Sequence, residues 1–468
     1  MTIRTTTDKR NNTKTDLLGP SFSIILASLG TSAAAVTLPE LPGEFQGVSL
    51  DTTFVVSAYI LATTALIVPV GRAGDLFGKR TVLIVGLSLF ILGAFLAFHA
   101  PTLPILVASR FIQGAGAAAM MAMPLAQVRD VVTSNQIGRW MGAMGTMSAI
   151  GTASGPALGG AIIAGFGWRA VYLLQIPAAV IALGLCLFYV TDNKRTDTRA
   201  KIDVAGAGAL AVFIASFTVF ISDLASGFGA LTAVFLAVAI IAVAGFWVIE
   251  HRTTVPILPL ELLRSPRLRL SLAMNAIVSL VMMGILVVGP FFLTGGLGLT
   301  TAQMGLAMSV GPIASALSGI PAGRLTERIG SGRAVIVGGL AVTMATAGMA
   351  GLPYVFGVGG FIAAFMLLSP SYQVFLAALN TSVMEGAPNK DRGVTSGILN
   401  LSRNFGFILG ASAISGVFWS LVNFGTGDET EAVSLAMAGT FALCSALALC
   451  VVLLAMLAKR HPDIEDVL

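Results

Sequence analysis

Three stretches of this chain hold polar or charged side chains at spacings that suit chemistry. The first is Gly71-Arg-Ala-Gly-Asp-Leu-Phe-Gly-Lys-Arg80, a short charged turn between two long apolar runs. Asp75 stands among Arg72, Lys79 and Arg80, and Gly71, Gly74 and Gly78 allow a tight backbone there. Such a turn either anchors a loop by its positive charge or acts as a latch, with Asp75 holding a neighbouring helix end. A degenerate copy, Gly323-Arg-Leu-Thr-Glu-Arg-Ile-Gly330, follows 252 residues later. Gly71 matches Gly323, Asp75 matches Glu327 and Gly78 matches Gly330. A charged hairpin used twice implies two related halves.

The second stretch, Arg110-Phe-Ile-Gln-Gly-Ala-Gly116, puts a guanidinium inside an apolar span. A charge there is expensive and faces a protein interior or aqueous cavity, unless its long stem snorkels to the interface. The third, Gly151-Thr-Ala-Ser-Gly-Pro-Ala-Leu-Gly-Gly160, lines a run with small residues around Pro156. Small residues admit close helix approach and proline bends a helix, so this is a packing face or a hinge. The ionisable groups within or beside apolar runs that could face a pathway are Arg110, Glu40 and Asp223. Candidate cavity residues are Tyr59, Gln113, Met144, Met147, Asn275, Tyr372, Gln373 and Asn380. Methionine suits a pocket that accepts several shapes, although gap-filling between helices explains it equally well. The three cysteines lie in apolar runs and the three histidines form no cluster, so no metal or other cofactor is expected. No nucleophile elbow or phosphate loop points to an enzyme.

The elements that must position these residues are membrane helices. The chain is 56% hydrophobic and 10% charged, with a mean hydropathy of +0.90, and its apolar runs approach the length that crosses a bilayer. Fourteen runs are expected, over 18–41, 50–70, 81–99, 103–126, 138–164, 169–190, 204–222, 229–249, 268–293, 301–322, 334–352, 356–381, 393–422 and 433–457. With the N-terminus in the cytoplasm, every Lys and Arg except Arg110, Arg169 and Arg403 falls on the inside. The net charge of +5 therefore reflects membrane orientation and implies no nucleic-acid partner. The expected fold is an all-α membrane protein of two pseudo-symmetric six-helix bundles, 18–190 and 268–457, with an inserted hairpin at 204–249. Segment 191–203 is a charged linker and 250–267 a cytoplasmic one. Residues 1–17, read as a disordered tail, and 458–468 are cytoplasmic.

These motifs resemble the major facilitator superfamily. The first hairpin is similar to its G-x-L-a-D-r-x-G-r-k signature between helices 2 and 3, with Ala73 in place of Leu. The family treats that hairpin as a gating latch. Arg110, Gln113 and Gly114 are similar to its R-x-x-Q-G motif, associated with proton coupling. Gly151, Gly155, Pro156, Gly159 and Gly160 resemble the antiporter signature of its drug exporters, G-x-x-x-G-P-x-x-G-G, taken there as a pliable hinge. Gly167-Trp-Arg-Ala-Val-Tyr-Leu-Leu-Gln-Ile-Pro177 resembles W-R-x-x-F-x-x-N-x-P of the fourteen-helix drug:proton antiporters, with Tyr172 and Gln175 substituted. There Trp168 and Arg169 are expected as interfacial anchors. The segment from Arg392 through Asn400 and Arg403 to Gly406 also resembles its family counterpart. The departure is in the first helix, where Gly30 replaces a membrane aspartate of the pattern L-D-x-T-I-V-N-V-A-L-P. The resemblance implies a monomeric bacterial inner-membrane transporter that exports small hydrophobic compounds against protons. With no midplane carboxylate, its substrate is expected to be neutral or weakly acidic. A facilitator or importer of an organic anion on the same fold is the alternative.

Overall fold

The computed structural model describes residues 6–45, 52–131, 137–189, 204–224, 229–253, 262–386, 392–424 and 428–458. All its regular structure is helical, and it divides into two compact units, Met1–Gly208 and Ala209–Leu468. Among the described residues ten helices are long and apolar enough to cross a membrane. Three shorter apolar helices, Phe54–Ile67, Ile150–Phe166 and Ala205–Ile221, accompany them. Large side chains such as Phe166 and Phe188 stand 79% and 85% exposed, a surface that hydrocarbon tolerates and water does not.

The first unit holds α1 (Thr6–Thr37), α2 (Phe54–Phe77), α3 (Lys79–Phe98), α4 (Leu103–Val131), α5 (Ile137–Phe166) and α6 (Gln175–Tyr189). The segment read as a disordered tail is helical from Thr6, because extending a helix already nucleated by the apolar run costs little. Helix α1 packs along α5 and also touches α4 and α6, while α4 lies against α2 and α3. Backbone-sized contacts set these crossings. A Cβ on Gly93 would stand 2.5 Å from the Gln113 nitrogen, and one on Gly116 would stand 2.5 Å from the Phe90 nitrogen. Lipid tails leave little hydrophobic drive between helices, so close packing of this kind carries the association.

The second unit takes in most of α7 (Val204–Leu224), then α8 (Ala230–Arg252), α9 (Pro266–Phe291), α10 (Thr301–Ile329), α11 (Ser331–Glu385), α12 (Arg392–Leu409), α13 (Ser415–Phe424) and α14 (Glu429–Ala458). At about 1.5 Å per residue, an unbroken α11 would far exceed a hydrocarbon core of about 30 Å. It breaks at Gly357, whose φ of 54° and ψ of −131° are not helical. The two arms then pack on each other, with Gly338 against the backbone of Phe375. Helix α9 runs into a π-helical turn, Phe292–Gly296, and a second such turn, Gly410–Ile414, joins α12 to α13. Helix α7 rests its aromatic face on α12, where Phe213 and Phe217 both stack on Phe405. Linker 191–203, residues 254–261 of linker 250–267 and the tail beyond Ala458 lie outside the described residues.

Candidate functional site

Arg110 is fully buried in the middle of the first unit. Burying a guanidinium is costly unless its donors are satisfied, and here backbone carbonyls and an amide satisfy them. Its Nε donates to the Val55 carbonyl on α2 at 3.2 Å, and Nη2 donates to the Gly30 carbonyl on α1 at 2.8 Å. Nη1 donates to Gln113 Oε1 one turn further along α4. The guanidinium also sits 4.3 Å from the ring centre of Tyr59 and 5.7 Å from that of Tyr172, within cation–π range. Gln113 passes the network on, donating from Nε2 to Gln175 Oε1 at 2.8 Å. Gln175 in turn donates to the Val171 carbonyl, and the Tyr59 hydroxyl to the Ala27 carbonyl.

One cation therefore ties α1, α2, α4 and α6 together through neutral partners. Sequence reasoning put Arg110, Gln113 and Tyr59 near a cavity, and the structure seals all three inside the unit. Tyr172 and Gln175, which stand out in the sequence only as motif substitutions, both belong to this network. The available signal was an amide in a second apolar span, able to answer Gln113. Met144 is also sealed, packed with Leu17, Ile24 and Val128, and partly buried Met147 lies against that cluster. Glu40 ends a short 3₁₀ turn after α1 and is partly exposed. The side chain of Asp223 lies outside the described residues.

The first hairpin reduces to a single residue between α2 and α3, Gly78, at φ 94° and ψ 135°. Two of its basic residues, Lys79 and Arg80, reach across the unit. Lys79 Nζ donates to the Ala126 carbonyl near the end of α4 at 3.1 Å, and Arg80 Nη2 to the Leu187 carbonyl near the end of α6 at 2.6 Å. Helix C-terminal carbonyls carry partial negative charge, so both contacts suit the dipole. The side chains of Asp75 and Arg72 lie outside the described residues, and Gly71 has open space at its Cβ position. The second hairpin repeats the backbone at Gly330, with φ 82° and ψ 145°. Its side chains differ: Glu327 is exposed, Gly323 faces open space, and Ser331 Oγ donates to Glu385 Oε2 at 2.6 Å.

Along α5 the glycines face α1 unevenly. A Cβ on Gly151 would strike the Ile25 carbonyl, and one on Gly155 would strike Ser32 Oγ and stand 2.8 Å from the Ala33 nitrogen. A Cβ on Gly159 would meet the Ala33 carbonyl at an ordinary 3.5 Å. Pro156 and Gly160 are buried in the same helix. Just beyond, Trp168 is buried against Phe45 and Tyr172 and so packs inward instead of anchoring at the lipid interface. Arg169 bridges Glu44 at 2.6 Å.

In the second unit two of the candidates, Asn275 and Asn380, come together. Asn275 on α9 donates to the Leu399 carbonyl on α12 at 2.7 Å. Asn380 lies near the end of α11, while Arg403 on α12 donates to Asn400 at 2.8 Å. These residues share a cavity of about 150 Å³. Gln373 instead donates to the Ser315 carbonyl on α10 at 3.4 Å, Tyr372 is buried, and Gln303 caps α10 from an exposed position. Asn400 and Arg403 were visible in the sequence as a motif segment, but only the fold brings Asn275 and Asn380 to them.

Comparison with known proteins places the chain. The model described as "Major Facilitator Superfamily" matches residues 21–411. The uncharacterized transporter YebQ of Escherichia coli is 28% identical over 91% of this chain and 92% of its own. The tetracenomycin C resistance and export protein of Streptomyces glaucescens is 26% identical, covering 90% of this chain and 79% of its own. The riboflavin transporter RibZ of Clostridioides difficile is 25% identical, covering 85% and 86%. Among solved structures, a bacterial homolog to the human lysosomal transporter Spinster superposes with a TM-score of 0.70 at 13% identity, over 96% of this chain and 97% of that one. The chain belongs to the Major Facilitator Superfamily, and it is a multi-pass membrane transporter, not an enzyme.

Proposed function

We propose that this member of the Major Facilitator Superfamily is a proton-coupled exporter of small hydrophobic compounds across the bacterial inner membrane, working as a monomer by alternating access. The observation that carries the reading is the α5 glycine–proline stretch. Its resemblance to the drug-antiporter signature coincides with a face where Gly151 and Gly155 admit α1 at backbone distance. A relative named for tetracenomycin C resistance and export supports the same direction. In this reading fourteen spans run as two six-helix bundles and an inserted hairpin, with both termini cytoplasmic and lysine and arginine held inside. The hairpin at Gly71–Arg80 is the inner latch, and its weaker copy at Gly323–Gly330 serves the other bundle. Arg110 supplies a fixed positive charge that biases protonation nearby, with Glu40 and Asp223 as the carboxylates that exchange the proton. Tyr59, Gln113, Met144, Met147, Tyr372, Gln373, Asn275 and Asn380 form the polar and pliable lining that meets the substrate as the bundles rock.

The test is proton flux in proteoliposomes carrying a lumenal pH dye, challenged in turn with cationic, neutral and anionic antimicrobials. Alkalinisation of an acidic lumen on adding a neutral or weakly acidic compound supports antiport. Substrate movement without proton movement at any imposed gradient sinks it. Asp75→Asn should slow transport while leaving insertion intact; wild-type transport by that variant removes the latch. The second reading, a facilitator or importer of an organic anion, draws on Gly30. Where the family pattern has a membrane aspartate, this chain offers only a carbonyl, and Arg110 occupies it.

A further inference from the structure

The cavity in the second unit is lined by one cation, three amides and an apolar wall, with no carboxylate among its lining residues. Arg403 is the cation. Its Nη2 is committed to Asn400, but its Nε is buried with no hydrogen-bond partner. A buried donor on a charged group left unmade is costly, so the position favours an acceptor that arrives from outside the chain. An oxygen pair fits best, because a guanidinium edge offers two parallel N–H groups to a carboxylate. Asn380 adds a further amide to the lining. Asn275 has its amide nitrogen fixed on the Leu399 carbonyl, and its oxygen remains as an acceptor. Leu376 and Met384 complete the wall with apolar surface. A cavity of about 150 Å³ is the size that holds a single benzene-like ring.

We infer that this pocket is a carboxylate subsite for a small amphipathic organic acid, with its anionic group on the Arg403 Nε edge and its ring or short chain against Leu376 and Met384. The inference deepens the export reading, on which it rests, by naming the acid group as the part of a weakly acidic solute held by the second unit. A phosphate would have three charged oxygens to satisfy against one guanidinium, whereas a carboxylate matches that single charge.

The experiment is thermal unfolding of the purified full-length protein in detergent with benzoate, benzamide, inorganic phosphate or phosphatidylglycerol, at constant ionic strength. Benzoate should raise the unfolding temperature and isosteric neutral benzamide should not. Arg403→Gln should weaken benzoate binding about tenfold or more, and Arg403→Lys should recover only part of it because the planar fork is lost. The unfolding temperature without ligand shows that each variant is folded. Asn380→Leu gives a second route, lowering benzoate affinity with Arg403 intact. Equal shifts with benzoate and benzamide, a benzoate shift unchanged in Arg403→Gln, or a response confined to phosphate or phosphatidylglycerol overturns the subsite. Drug-triggered proton flux in the same preparation keeps the two claims apart. Flux without benzoate binding removes the subsite alone, and Arg403-dependent binding without flux removes the exporter alone.

Discussion

The two units cross one pair of helices in the same way and then diverge. In the first, Gly151 and Gly155 on α5 meet the backbone and Ser32 of α1; in the second, Gly406 on α12 and Gly410, which opens the π-helical turn after it, meet the carbonyls of Ala276 and Leu280 on α9. A step of 255 residues carries Gly151 to Gly406 and Gly155 to Gly410. The same step carries Ser148 to Arg403. Ser148 shares a hydrogen bond of 2.7 Å with Ser28, so the first unit closes that point with two hydroxyls. The second puts a guanidinium there, and a cavity opens beside it. The repeat thus preserves contacts in which backbone meets backbone, and it frees side chains next to them to differ. Cations follow the same rule. Arg110 is saturated and sealed, while Arg403 keeps an unanswered donor.

Removing each cation is the sharpest way to break that comparison. Arg110→Leu strips donors from three acceptors and should cost about 3 kcal/mol of stability, read as a large drop in the unfolding temperature in detergent. Arg403→Leu should change stability by less than about 0.5 kcal/mol, and comparable losses from the two would erase the distinction. The shared helix crossing comes next. Gly155→Ala and Gly410→Ala should each cost about 2 kcal/mol through overpacking, whereas Gly159→Ala should be near neutral by the same assay. The paired hairpins should respond alike, since Gly78→Ala and Gly330→Ala both force a side chain into a positive-φ backbone at about 1.5 kcal/mol. The smallest effect separates those hairpins again. Lys79→Met and Arg80→Met should each loosen the ends of α4 and α6 by about 0.5 kcal/mol, seen as faster amide exchange near Ala126 and Leu187. Matched changes at Arg324 and Arg328, both exposed on the second hairpin, should leave exchange in the second unit unaltered.

Much of the architecture was legible because its signals are long. Apolar runs, the doubled hairpin and the small-residue face of α5 each span many residues, so single exceptions do not obscure them. The start of α1 was missed because polar residues outside the hydrocarbon carry no periodic signal of their own. The site was less legible for a different reason. Arg110 announces itself as a charge in an apolar span, but its saturation depends on carbonyls of Gly30 and Val55, which any residue supplies. Tyr59, Gln113 and Met144 were readable as polar or pliable groups, yet nothing local says which way a helix turns them. The cavity around Arg403 was the hardest, because its residues come from three helices whose alignment exists only after packing.

Gly78 and Gly330 also bear on how the protein is made. Each is the single residue between two apolar helices, α2 and α3 in one case and α10 and α11 in the other. A one-residue joint gives the ribosome-fed insertion channel no slack to release the first helix of a pair before the second has emerged. The two helices of each pair are then expected to enter the bilayer together, as one hairpin turning on its glycine.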